Sequence, residues 1–133
     1  MIRNFLAFVL CLAAGSAIAA SPEEWRYLYV IRGSYLNYST GSEVLLRDQN
    51  LIKGRFTSHV GADVPISVDI NGASATAMLF EGSNNRIEMT GTFRQEIAPG
   101  GAECWQTIQV LDGLNFLTLV RSVPAAEMPS CEL

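Results

Sequence analysis

His59 is the only histidine in the chain, with Arg55 four residues before it and Asp63 four after, in the loop-like stretch Thr57 to Pro65. A histidine beside an aspartate can act as a general base or as the middle member of a nucleophilic triad. Either role needs an activated nucleophile, and no serine here sits in a G-x-S-x-G elbow; Ser58 is only a neighbour in sequence. His59 is therefore read as a solvated loop residue, with the base of an envelope hydrolase kept as a minor alternative. Paired carboxylates offer a second hydrolytic chemistry. Here Glu43, Glu81, Glu88 and Glu103 fall at turns or on polar strand faces, and Glu23-Glu24 reads as a helix start or a polar terminus. No Walker loop, dinucleotide fingerprint, EF-hand or HExxH motif is present. The sequence thus points to no cofactor, no metal and no catalytic residue.

The first twenty residues read as a secretory signal. Arg3 precedes an apolar run from Phe5 to Ala14, and Ala17-Ile18-Ala19 gives the A-x-A pattern for cleavage. The run is too short for a membrane span, which needs roughly 20 apolar residues. Residues 1–20 are assigned to the signal and 21–133 to one domain, which is expected to lie outside the cytoplasm, in the periplasm or secreted, with no transmembrane segment. Loss of Arg3 leaves eight basic against thirteen acidic residues, a net charge of −5. The basic residues are scattered, which argues against a nucleic-acid partner.

Cleavage also removes Cys11, leaving Cys104 and Cys131. Two thiols in an oxidising compartment usually pair, so a bond between them is expected to tie back a proline-bearing tail, residues 122–133. A zinc site is a poor competitor, since neither cysteine has a histidine nearby.

Period-two alternation dominates the mature sequence and predicts an all-β fold: a small antiparallel up-and-down barrel or sandwich of about seven or eight strands. From Arg86 to Arg94 polar and apolar residues alternate, as they do from Ile66 to Ile70. Asn71-Gly72 reads as a two-residue type I′ turn, which would pair Ile70 with Ala73, Val68 with Ala75 and Ile66 with Ala77. Asp112-Gly113 reads the same way, pairing Leu111 with Leu114 and Ile108 with Leu117. Neither face of this C-terminal hairpin is cleanly polar, and the face bearing Ile108, Leu117 and Leu119 is expected to lie under the tail or to meet a partner. Three segments, residues 31–35, 52–56 and 89–93, share a glycine two residues before an aromatic ring, a mark of bent strands.

Residues 21–33 carry conflicting signals. Ser21, Pro22 and Glu24 suit a helix start, and an N-terminal helix on a curved antiparallel sheet is the alternative fold. The alternating aromatic run that follows favours a strand after one helical turn. By parity Trp25, Tyr27, Tyr29 and Tyr35 share one face, either an aromatic core seam or an exposed binding platform. These features converge on a non-catalytic extracytoplasmic binding protein, engaging another protein as an inhibitor or envelope-associated factor. The alternative is a carrier of a small apolar ligand inside the barrel.

Overall fold

The computed structural model describes residues 20–30, 38–58, 60–113, 115–128 and 131. Residues 1–19 of the expected signal, Tyr35, His59 and Leu114 lie outside them. Eight antiparallel strands follow one another around a closed barrel: β1 (Ser21–Val30), β2 (Tyr38–Asp48), β3 (Leu51–Thr57), β4 (Asp63–Asn71), β5 (Ser74–Leu79), β6 (Ile87–Ile97), β7 (Glu103–Asp112) and β8 (Asn115–Pro124). β1 returns to pair with β8 and closes the wall. The structure selects the barrel over the sandwich.

Residues 21–30 form a single strand paired with β2 along their whole length. The one helical turn expected at Ser21 and Pro22 is absent. Bulky alternating side chains from Trp25 to Tyr29 gain more by filling the barrel than a capped turn could supply.

Strand parity sorts the side chains. Trp25, Tyr27 and Tyr29 of β1 point inward with Leu45, Ile52, Phe56, the even positions of β4 from Val64 to Ile70, Ala75, Ala77, Leu79, Met89, Ile108, Val110, Leu117 and Leu119. Tyr27 stacks on Phe56 at 4.4 Å between ring centroids, and Tyr29 meets the same ring edge-on at 5.5 Å. Such ring pairs contribute roughly 0.5–1.5 kcal/mol each beyond their burial. Eight strands leave an interior just wide enough for side chains, and these side chains occupy it. An apolar interior is the reverse of a transmembrane barrel, whose apolar band faces outward. No helix among the described residues is long and apolar enough to cross a membrane.

Both hairpins differ from their expected register by two residues. Asn71 pairs with Ser74, Ile70 with Ala75, Val68 with Ala77 and Ile66 with Leu79. Asp112 pairs with Asn115, Leu111 with Phe116, Val110 with Leu117 and Ile108 with Leu119. In each case the glycine is the first loop residue instead of the second: Gly72 has φ +63° and Gly113 φ +55°, while Asn71 and Asp112 stay in their strands. Positive φ at Gly72 and not at Ala73 is the pattern of a type II′ turn. A shift of two preserves parity, so the facing of every side chain survives the correction.

The described strand glycines that read as bends, Gly54 and Gly91, sit at points of close approach. A Cβ on Gly91 would collide with the carbonyl oxygen of Gln109 on β7. Gly54 is covered by the Leu45 side chain, just beyond the point where the β2–β3 ladder, Leu46↔Lys53 to Asp48↔Leu51, stops. There the Tyr27 hydroxyl reaches across the interior to donate to the Thr57 carbonyl, 2.7 Å away.

Cys104 and Cys131 are bonded, their Cα atoms 6.1 Å apart. Cys104 shares the inward parity of β7, so the bond draws Cys131 toward the barrel interior and not onto the outer face of the last hairpin. The tail runs through a 3-10 turn, Ala125–Glu127, held where the Ala125 N–H donates to the Ala102 carbonyl. It then brings Cys131 to the barrel end beside the β6–β7 loop.

Candidate functional site

The closing seam between β1 and β8 is incomplete. Their ladder runs only from Arg26↔Val120 to Val30↔Phe116, although β1 begins at Ser21 and β8 ends at Pro124. Residues 21–25 and 121–124 therefore have a neighbouring strand on one side only, β2 for the first set and β7 for the second. Pro22 lies in this single-sided part, where a residue without an N–H is tolerated. The strands part around a cleft of about 390 Å³ that includes Pro22, Glu23, Glu24, Arg26, Arg121 and Val123 in its walls.

Inward-facing charge lies where the wall opens. Glu23, Arg47 and Arg121 all carry the inward parity of their strands, and at this end of the barrel the interior is polar. One Glu23 oxygen accepts from Trp25 Nε1 at 3.2 Å and lies 3.7 Å from the Arg47 guanidinium; the other is 3.6 Å from Arg121. Arg121 donates to Gln106 Oε1 at 2.9 Å, and Gln106 donates to Gln95 Oε1 at 2.7 Å. The Arg121 guanidinium also lies 6.0 Å from the Trp25 ring centroid, within cation–π range. Gln106 is buried and satisfied on both sides. Two arginines against one glutamate leave the cluster with a positive balance.

The cleft continues onto the outer face. A shallow recess of about 430 Å³ shares Arg26 and Val120 with it and runs over Leu28, Gln109, Phe116 and Thr118. Leu28 is 38% exposed; Leu111, the cross-strand neighbour of Phe116, is 58% exposed, and Trp105 further along β7 is 41% exposed. On the β2 side Val44 and Leu46, partners of Glu24 and Pro22, are more than half exposed. An open strand edge is thus flanked by apolar side chains on both sides.

The residues singled out for a binding surface lie elsewhere. Trp25, Tyr27, Tyr29, Ile108, Leu117 and Leu119 are all buried in the barrel interior, so the aromatic platform is a core seam. The outward face of the C-terminal hairpin bears Trp105, Leu111, Phe116 and Val120 in their place. Tyr35 and His59 fall outside the described residues. Sequence reasoning missed Glu23, Arg47, Gln95, Gln106 and Arg121. Parity was the available signal, because Glu23 is in phase with Trp25, and Arg121 with Leu119.

Among the described residues no group of three or more acidic, histidine or cysteine side chains could hold a metal ion. Comparison with known proteins gives no lead: no family model, no curated protein and no solved structure matches the chain.

Proposed function

We propose that this chain is a non-catalytic extracytoplasmic binding protein that engages another protein along the β1–β8 seam. The observation that carries this reading is the seam itself. Single-sided strand segments can accept an extended segment of a partner through main-chain hydrogen bonds, and the apolar strip beside them supplies the desolvated contact area an interface core needs. The polar cluster beneath would orient the partner, to which the cleft presents both signs of charge through Glu23, Glu24, Arg26 and Arg121. The bonded cysteines are compatible with an oxidising compartment. The filled interior gives the ligand-carrier reading no support.

Immobilised protein and its Leu28→Asp and Phe116→Asp variants test this against the source envelope fraction. Both changes face outward and leave the core intact. Proteins retained by the parent and lost at least about tenfold in both variants are expected, since a charge at an interface core costs on the order of 1.4 kcal/mol or more. Equal retention by parent and variants contradicts the assignment.

A further inference from the structure

The barrel wall opens a second time, between β2 and β3. Their ladder stops at Leu46↔Lys53, although β2 continues to Tyr38 and β3 to Thr57. Asp48 and Leu51 flank a two-residue turn, so their main-chain groups bond to each other. Alternation then turns the N–H and C=O of Leu46, Val44, Ser42, Thr40 and Tyr38 toward β3, and those of Lys53, Arg55 and Thr57 toward β2. Past Leu46 the two rows do not meet. The Tyr27 hydroxyl takes the Thr57 carbonyl at 2.7 Å, and a Cβ on Gly41 would lie 2.8 Å from that hydroxyl. The tip of the Tyr27 ring thus stands between Gly41 and Thr57 and holds the strands apart.

Continued, the same register would set Thr57, the last residue of β3, against Ser42, so Tyr38 to Gly41 reach past the end of β3. The turn that follows β3 bonds to itself: the Ser58 N–H donates to the Ala62 carbonyl and the Gly61 N–H to the Ser58 carbonyl, both at 2.8 Å, and the Ala62 N–H donates to Ser58 Oγ at 3.1 Å. On this side β2 therefore presents an edge, from Tyr38 to Val44, that pairs with no neighbouring strand among the described residues. Lysine and proline commonly guard such edges. This one has neither, and Glu43 is its single charge.

We infer that a second copy of this chain pairs with this edge, β2 against β2 in antiparallel, about a two-fold axis at Gly41. The stretch from Tyr38 to Val44 has Gly41 at its centre, so the register that uses all of it sets Tyr38 opposite Val44 of the second copy and Thr40 opposite Ser42. These are an aromatic with a β-branched residue and a hydroxyl with a hydroxyl, pairs that stabilise antiparallel strands. Tyr38 and Val44 are 46% and 58% exposed in the single chain and would cover one another. Glu43 falls opposite Ser39, so the symmetry axis does not bring like charges together. A two-fold at Ser42 would call on Leu46, whose main-chain groups already serve Lys53, and one at Thr40 would leave Val44 with no opposite among the described residues. An unrelated extended segment can supply the main-chain bonds, but the match of side chains at both ends of the edge belongs to a second copy. The two-fold closes on itself, so the assembly stops at a dimer.

The test is sedimentation equilibrium of the purified protein from micromolar to near-millimolar concentration, where a monomer–dimer equilibrium and nothing larger is expected. Tyr38→Lys and Val44→Glu, made singly, should each weaken the dimer about tenfold, because the two-fold repeats every lost pair. Both substitutions in one chain should restore most of the affinity, since the introduced charges then lie opposite one another across the axis. Positions 38 and 44 lie about 20 Å apart along one strand, so that recovery cannot arise within a single copy. Both side chains face outward, and unchanged urea unfolding of the dilute variants separates a lost contact from a lost fold. A monomer at every concentration overturns the inference, as does a dimer that both single variants leave intact, or a double variant as weak as the single ones. Loss of the dimer in Leu28→Asp but not in Tyr38→Lys assigns self-association to the β1–β8 seam and also overturns it.

Discussion

Glu23 is the residue on which the seam's interior depends, because two guanidiniums and an indole N–H converge on its carboxylate. Replacing it with glutamine keeps the shape and removes the charge. The two arginines are then left mostly buried without a counter-ion, which costs more than the pair contributes when intact. Glu23→Gln is expected to lower stability by about 1–3 kcal/mol in urea unfolding, and Arg121→Met by less, because Glu23 keeps Arg47 and the Trp25 N–H as partners. Tyr29 gives a residue-scale prediction of another kind. Its pKa is raised by burial from 10.0 to about 12, so the unfolded chain releases this proton first. The associated stability is fully present below pH 10 and is lost as pH rises toward 12, amounting to about 2–3 kcal/mol. Burial raises Tyr27 in the same direction. Unfolding free energies measured from pH 9 to 12 should therefore fall less steeply in Tyr29→Phe than in the parent.

Among the elements, β6 and β7 show how closely the strands are fitted. Gly91→Ala would drive a methyl group into the Gln109 carbonyl, and a loss of about 1–3 kcal/mol is expected from the strain of overpacking, read from the shift in denaturant midpoint at constant slope. The tail is an element of a different sort, held by the bond between Cys104 and Cys131 across 27 residues. Loop-closure entropy gives roughly 3–4 kcal/mol for a link of that span, so unfolding with and without reductant should differ by an amount of this order. The existence of the strands and their facing were legible in the sequence, because alternation such as Trp25 to Tyr29 or Ile66 to Ile70 is a local signal. Hairpin register was less so: Asn-Gly and Asp-Gly suggest a turn centred on both residues, yet Gly72 and Gly113 lead their turns, a choice set by packing across the sheet. The seam was not legible at all. It arises where the first strand meets the last, and no local pattern reports how many residues of such a distant pair will join.

The whole molecule is a filled barrel whose wall is open along the β1–β8 seam and again where the β2–β3 ladder stops at Leu46↔Lys53. Among the described residues the interior is filled by side chains, so native mass spectrometry of the purified protein should show the mass of the chain without a ligand. What distinguishes its outside is the coincidence, on the β1–β8 seam, of single-sided strand segments, exposed apolar side chains and a charged floor. Elsewhere Asp69 and Thr76, on the outer face of β4 and β5, are polar residues of strands paired on both sides at these positions. The contrast between these faces tests the central claim. A photo-reactive phenylalanine analogue is placed singly at Glu24, Leu28, Asp69 or Thr76 and irradiated in the intact source envelope. A discrete protein adduct from Glu24 and Leu28, with none from Asp69 or Thr76, is the predicted result; adducts from Asp69 or Thr76 alone, or none from either seam position, would contradict it.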